Sequence, residues 1–593
     1  MQEIRHLFNK LFHYLRLRLT RVQYVMMVAV LVGLMSGLTA VLLKTIVHFL
    51  QRVIEGATIS RFFYLLFPVF GILICVIIVQ KFFQGRIERG IAMVLRHIAG
   101  QSSYIPRKHT YQHVVTSAVT VGLGGSVGLE APIVATGSAI GSNIARWSDL
   151  NYQERTLLIA CGAAAGISAA FNAPIAGVIF ATEVLLVDTV VSYFIPLIIS
   201  SVVGVLCSKM ILQEGLLFNF VYMQHFNYHN VPFYMLLGVL AGFCSLYYAK
   251  AFKWSETQLE HRQWNVYVKA VVGGLMLVVL YLVLPPLFGE GYESVKKVAN
   301  DSLQPTADIA NIFGGLGAEW GMILFSALIV LFKPIAAGIT IGGGGNGGNF
   351  APSLFTGSFL GFFFSRLINN TGWVNIPVGN FSLVGMAGVL SGVMYCPLTA
   401  VFLIAELANG YELFIPLMIV SSISFFIVKS YERYSMDTKA LALSGRIFTH
   451  QKEKNILTTI SLKDILAAEH QSISIDKKLR DLVEVVKGSD DNVFAVHDQK
   501  GRFAGIIELN DVRQKLFQTE QYDKLSVKAL MKKPPETLKE GESMTVVMEK
   551  FDTTRSWYLP VLDHERKLLG FVSKSVLFAK YREALSAAGD LYE

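Results

Sequence analysis

The sequence predicts an all-α polytopic membrane domain built from two related halves, followed by a smaller α/β region. Three observations predict it. The 593-residue chain is 53% hydrophobic and only 16% charged, where soluble domains average about 25% charged. Its apolar runs are broken by Gly and Pro, and one pair of motifs recurs in the same order about 220 residues further on. Near residue 450 the composition changes: charged residues become dense and no run long enough to span a bilayer follows.

Taken in order, residues 1–22 carry Arg5, Lys10, Arg16, Arg18 and Arg21 against a single acid, Glu3, with Leu7, Leu11, Tyr14 and Leu15 at helical spacing. This predicts a basic amphipathic helix on the membrane surface. The next apolar run, Val25 to Leu50, is long enough to span and has no cleavage pattern after it, so a signal peptide is not expected. The basic flank predicts a cytoplasmic N-terminus.

Further apolar segments fall at about 62–83, 110–127, 131–145, 174–187, 191–213, 231–252, 268–287, 318–337, 351–368, 383–408 and 413–429. Several are too short to cross about 30 Å of hydrocarbon at 1.5 Å per residue. Short segments punctuated by Gly and Pro fit half-helices that line a pathway.

Within an apolar stretch from about Thr116 to Gly141 stands Gly128-Leu129-Glu130-Ala131-Pro132. A carboxylate at mid-bilayer costs roughly 2.5–3.5 kcal/mol on insertion scales, and such groups usually face a water-filled path. Gly122, Gly124, Gly125 and Gly128 let the backbone leave helical geometry. Pro132 suits the first turn of a new helix. The expectation is a helix break with Glu130 at it and a second helix starting at Ala131. That helix aims unpaired N–H groups and the positive end of its dipole at the break, which makes an anion site. The plainer reading is a buried Glu paired with a basic residue of another helix.

The phrase occurs twice. Residues 128–141 read GLEAPIVATGSAIG and residues 348–361 read GNFAPSLFTGSFLG, identical at seven of fourteen positions. Downstream, GAAAGISAAFNAPIAGVIFATEV (162–184) matches GMAGVLSGVMYCPLTAVFLIAEL (385–407) at Gly162/Gly385, Pro174/Pro397 and Glu183/Glu406. The offsets, 220 and 223, agree, so the membrane part is a duplication. Duplicated transporters commonly bind substrate at the repeat interface. Glu183 and Glu406 end equivalent segments and are expected to be buried carboxylates that cap or pair within each half. Gly342 to Gly348 (GGGGNGG) lacks the Gly-Lys-Ser/Thr ending of a phosphate loop. Its expected use is close backbone approach to an ion, before a helix starting at Phe350.

Beyond residue 450, VFAVHD then GRFAGIIELNDVRQKL, and WYLPVLD then RKLLGFVSKSVLFAKY, show strand–helix alternation twice.

These motifs resemble the CLC chloride channel and transporter family over about residues 20–450: GLEAP for its Gly-x-Glu-Gly-Pro, GNFAP for its Gly-x-Phe-x-Pro, and GAAAG…FNAP…G…E for the following block. The tail resembles a tandem pair of CBS domains, about 459–516 and 526–585. The resemblance implies an inverted-repeat membrane domain over 23–450 (repeats about 23–215 and 231–450), a homodimer in lipid, one anion pathway per subunit with chloride as the expected ion, and cytoplasmic termini. It implies that Glu130 gates the path. The implied anion-binding positions are Gly128, Ala131, Arg89, Gly90, Asn349, Phe350, Ala351 and Asp437.

Three positions depart from the family pattern. Arg89 stands in place of the family's anion-coordinating Ser, either as a cation at the inner mouth or as an ordinary interfacial Arg. Asp437 falls where a Tyr is usual, with Tyr434 as a substitute if the register slips. Val184 stands where exchangers often carry a proton-passing glutamate. CBS pairs often bind adenine nucleotides, and here Asp511 and Ser573 each retain part of that motif. Glu508 and Val576 replace the other parts, so a dimer-stabilising scaffold is the main expectation and nucleotide the lesser one.

The reading is therefore passive, channel-like anion conduction with no cofactor required. Proton-coupled antiport through an atypical inner relay, and fluoride selectivity, are the alternatives. An intramembrane enzyme would need a nucleophile–base pair or metal cluster, and the sequence offers no such constellation. The formal charge of +9 does not argue for nucleic acid, because the basic residues lie at membrane edges and in the tail. Five cysteines (Cys75, Cys161, Cys207, Cys244, Cys396) sit in apolar segments and read as small buried hydrophobes.

Overall fold

A computed structural model describes residues 17–56, 65–85, 87–88, 90–100, 103–186, 194–212, 225–300, 302, 317–408, 410–443, 460–467 and 470–587. Most of the surface helix expected over 1–22, and Arg89, lie outside the described residues. The chain divides into two compact units, Met1–Ile447 and Phe448–Glu593.

Among the described residues, the regular elements of the first unit are all helical. Its elements are α1 (Arg21–Gly56), α2 (Phe67–Phe82), α3 (Gly90–Gly100), α4 (His109–Gly122), α5 (Glu130–Trp147), α6 (Tyr152–Phe171), α7 (Pro174–Phe180), α8 (Phe194–Leu212), α9 (Val231–Glu260), α10 (Val266–Val283), α11 (Tyr292–Ala299), α12 (Ala318–Gly342), α13 (Phe350–Asn370), α14 (Val378–Met394), α15 (Pro397–Leu407), α16 (Phe414–Tyr431) and α17 (Met436–Leu443). Among the described residues, eight helical stretches are long and apolar enough to cross a membrane. The duplicated pieces around the breaks are short: α7 has 7 residues and α15 has 11.

The apolar run 383–408 is not one segment. Tyr395, at φ 58°, ends α14, and α15 restarts at Pro397. Asn172, at φ 55°, does the same before Pro174. The cause is shared: the residue before a proline is pushed out of helical geometry, and a left-handed residue just ahead turns the chain. Hydropathy does not register such a break, since both flanks are apolar.

Both repeats also pack alike. A Cβ on Gly162 would meet the Gly137 carbonyl oxygen at 2.0 Å, and one on Gly385 would meet that of Gly357 at 2.3 Å. These are the same two repeat positions, so α5/α6 and α13/α14 cross with backbones touching, as small residues permit. Between repeats, Gly128 N–H donates to Gly348 O at 2.9 Å and Gly348 N–H to Gly128 O at 2.8 Å. Equivalent residues that exchange bonds in an antiparallel bridge run in opposite directions, as inverted repeats must.

Glu183 and Glu406 correct the expectation of contacts within each half. Glu183 accepts from Leu398 N (3.0 Å), Thr399 N (2.8 Å) and Thr399 Oγ1 (2.7 Å), at the start of α15. Glu406 accepts from Ile175 N (3.0 Å) and Ala176 N (2.8 Å), at the start of α7. Each repeat caps the other. A carboxylate satisfies orphan amides at a helix N-terminus and favours its dipole.

In the second unit, β1 (Ser472–Ser474), β2 (Val493–His497) and β3 (Phe503–Glu508) form one sheet, and β4 (Leu538–Lys539), β5 (Tyr558–Leu562) and β6 (Leu568–Ser573) the other. Each has a parallel pair, then an antiparallel pair with a register shift near the end of its middle strand. The cores interleave along the chain. Ile460, Leu462 and Ile465 pack with Leu538, Leu559 and Leu577, while Val527 and Leu530 pack with Ile473, Phe494 and Val512. The contiguous spans 459–516 and 526–585 therefore each contain a piece of the other's core.

Candidate anion site

The site forms where α5 and α13 begin. Both helices start immediately after the Gly128–Gly348 bridge, so their N-terminal amides converge. Unpaired amides at two helix starts make a polar patch with a partial positive charge and no full cation. The expected helix start at Ala131 falls one residue earlier, at Glu130.

Glu130 is buried, with 3% of its surface exposed. Its Oε1 accepts the Tyr292 hydroxyl at 2.5 Å. Its Oε2 lies against Gly128, where an added Cβ would come within 2.2 Å of it. The carboxylate is thus seated at the junction of the two repeats. It makes no described salt bridge, and Lys44 of α1 lies within electrostatic range.

A cavity of about 190 Å³ opens beside it, lined in part by Gly90, Glu130, Ala131, Asn349, Phe350 and Asp437. Six sequence-selected positions, far apart in the chain, meet there. Gly128 and Ala351 form the junction behind Glu130. Val184, in a π-helical turn (Ala181–Leu185) after α7, packs against the main core and is not among the lining residues. Tyr434 is not among them either. The Tyr248 hydroxyl reaches this wall, 3.5 Å from Asn349 Oδ1.

The sequence reading missed four polar residues. Lys253 and Glu256 of α9 line the cavity and pair with each other at 2.8 Å, and Glu256 is in electrostatic contact with Asp437. Glu290 accepts the Leu129 amide at 3.1 Å, and Tyr292 holds Glu130. The argument that singled out Glu130 applies to Glu290 as well: a carboxylate beside a long apolar run, here between Gly289 and Gly291. Glu256 gave less signal, since a charge near a helix end is usually solvated.

In the second unit, Lys532 Nζ bridges Asp511 at 2.7 Å and Glu508 at 3.1 Å. Ser573 Oγ accepts from Val576 N at 3.1 Å, capping the helix Lys574–Ala587. Both candidate nucleotide-binding residues are thus engaged locally.

A pair of broken helices from two equivalent repeats, meeting start to start at Gly128 and Gly348, defines a duplicated membrane protein. The chain belongs to the voltage-gated chloride channel (CLC) family, whose model matches residues 71–429. A CBS-domain model matches residues 527–582. The chain is 28% identical over 527 residues to chloride channel protein CLC-e of Arabidopsis thaliana, covering 82% of this chain and 71% of the plant protein. Its fold is similar to that of a slow cyanobacterial Cl−/H+ antiporter, with TM-score 0.61 and 20% identity over 72% of this chain and 98% of that one. It is also similar to a eukaryotic CLC transporter, with TM-score 0.61 and 16% identity over 95% and 98%.

Proposed function

We propose that this protein conducts chloride passively across a membrane, with Glu130 as the gate of a path through the cavity. The observation that carries the proposal is the seat of Glu130 among the amides of two converging helix starts. An ionised Glu130 there stands in for an anion and blocks the path. Protonation or displacement frees the amides of Ala131, Asn349, Phe350 and Ala351, whereas that of Gly128 stays in the bridge to Gly348 O. Such donors bind an anion without the full charge that would trap it. Gly90 and Asp437 line the same void, and Arg89 is proposed as an anion-binding position from the family resemblance alone. The protein is proposed to act as a homodimer in lipid with cytoplasmic termini, its CBS pair stabilising the dimer. Local engagement of Asp511 and Ser573 supports that structural role over nucleotide binding.

Passive conduction is favoured because Val184 carries no titratable group. Proton-coupled exchange is the second reading, favoured by Glu256 and Asp437, two carboxylates on the wall of the cavity that Glu130 also lines. Purified protein in liposomes under a chloride gradient decides between them. Passive flux with no coupled proton movement is expected. Uphill proton movement at fixed stoichiometry, with membrane potential clamped, would establish an exchanger. Replacing chloride by fluoride in the same assay tests the fluoride alternative.

A further inference from the structure

Glu290 has no assigned part in conduction, yet it sits in a loop built to hold it. Gly289 and Gly291, at φ 64° and 85°, bracket it, a conformation open to glycine at little cost. A Cβ on Gly291 would come within 2.5 Å of the Phe355 ring. Buried Lys333 of α12 pins the loop: its ammonium donates to Ser126 Oγ (2.9 Å), Gly289 O (3.0 Å) and Leu287 O (3.3 Å). Those three bonds use its three N–H groups. Ser126 Oγ in turn donates to Leu287 O at 2.7 Å. The loop is thereby tied to the strand of chain that leads into Glu130.

From this loop two side chains reach the gate. Glu290 accepts the amide of Leu129, the residue before Glu130. Tyr292 donates to Glu130 itself. Charged and titratable groups facing Glu290 come from four places: Glu130 at the start of α5, Tyr292 at the start of α11, Lys44 on α1 and Lys333 on α12. The carboxylates of Glu130 and Glu290 are in direct electrostatic contact. Burial weakens screening, so ionising either carboxylate disfavours ionising the other, and the pair titrates in coupled steps.

We propose that Glu290 is a second carboxylate of the gate: it fixes the start of α5 and, through its charge, sets how readily Glu130 leaves its seat or takes up a proton. Tyr292 is its counterpart, holding the ionised Glu130 in place. The two act in opposite directions. A neighbouring negative charge disfavours ionised Glu130 and promotes opening, whereas a hydrogen bond to the ionised form favours closure. Both are positioning residues, and the inference rests on Glu130 being the gate.

The test is chloride efflux from liposomes containing the full chain, with pH changed on each face in turn. Flux through the wild-type protein is expected to rise as pH falls. Glu290→Gln keeps an oxygen for the Leu129 amide and removes the charge. It is expected to lower the pH of half-maximal flux by about one unit. Tyr292→Phe is expected to raise it. Neither substitution should shift anything in a Glu130→Gln background. An unchanged midpoint in Glu290→Gln, or a shift that survives Glu130→Gln, overturns the inference, since a residue that merely caps α5 would behave in one of those ways. If Glu130→Gln alone retains the wild-type pH profile, the gate reading itself fails, and this inference with it.

Discussion

Replacing Glu183 by Ala isolates one of the contacts that join the two repeats. The carboxylate accepts three hydrogen bonds from the first turn of α15, two from backbone amides and one from Thr399 Oγ1. Hydrogen bonds to a charged group contribute about 1.5–3 kcal/mol each in soluble proteins, while side-chain bonds between membrane helices average about 0.6 kcal/mol. Three bonds at about 0.6–1.5 kcal/mol each, from the membrane average to the lower soluble value, give a loss of about 2–5 kcal/mol, with two amides left unpaired in an apolar setting. Glu406→Ala removes two bonds from the start of α7, so its loss should be smaller by one hydroxyl bond, about 1 kcal/mol. Glu183→Gln should recover only part, because its amide nitrogen faces a donor. The assay is thermal unfolding in detergent, followed by loss of the monodisperse peak on size exclusion. A drop on the order of 5 °C is expected for Glu183→Ala. Unchanged stability, or a larger drop for Glu406→Ala than for Glu183→Ala, would refute the reciprocal capping argument.

Other outcomes follow from the same geometry. Glu130→Gln and Glu130→Ala should both make chloride flux less dependent on pH, and a wild-type profile in either variant removes Glu130 from gating. Gly162→Val should prevent folding or cost more than about 3 kcal/mol, since its Cβ would meet the Gly137 carbonyl oxygen at 2.0 Å; a stable, monodisperse variant would show that the crossing is looser than described. Removing residues 451–593 should leave anion flux in place while lowering expression or dimer stability, and folded truncated dimers that move no anion would assign the tail a part in conduction. Lys532→Ala should lower the unfolding temperature of the tail only slightly, by well under 1 kcal/mol equivalent, because the pair with Asp511 is half-exposed; adenosine triphosphate should leave that temperature unchanged in the wild type.

Much of the architecture was legible in the sequence because its determinants are local. A Gly-rich run before Glu130 and Pro132 encodes a helix break whatever surrounds it, and the repeated phrase at 348–361 encodes a second. Matching offsets reveal the duplication. The composition change near residue 450 separates apolar from solvated chain. Each signal is carried by propensity or hydropathy over a few residues.

What the sequence left undecided depends on partners distant in the chain. Glu183 and Glu406 end similar helices, and nothing local says that each carboxylate caps the opposite repeat. Whether Asp437 faces the cavity depends on how α17 packs, and Glu256 joins it only because α9 brings a carboxylate in from the other side. Glu290 looks like a loop residue until Lys333, about forty positions later, ties its loop against Ser126. A buried charge selects its partners by distance in space, in a medium where screening is weak. The sequence by itself determined where the helices break and that the halves repeat. The tertiary structure alone decided which charges stand beside Glu130, because that is set by packing and not by spacing.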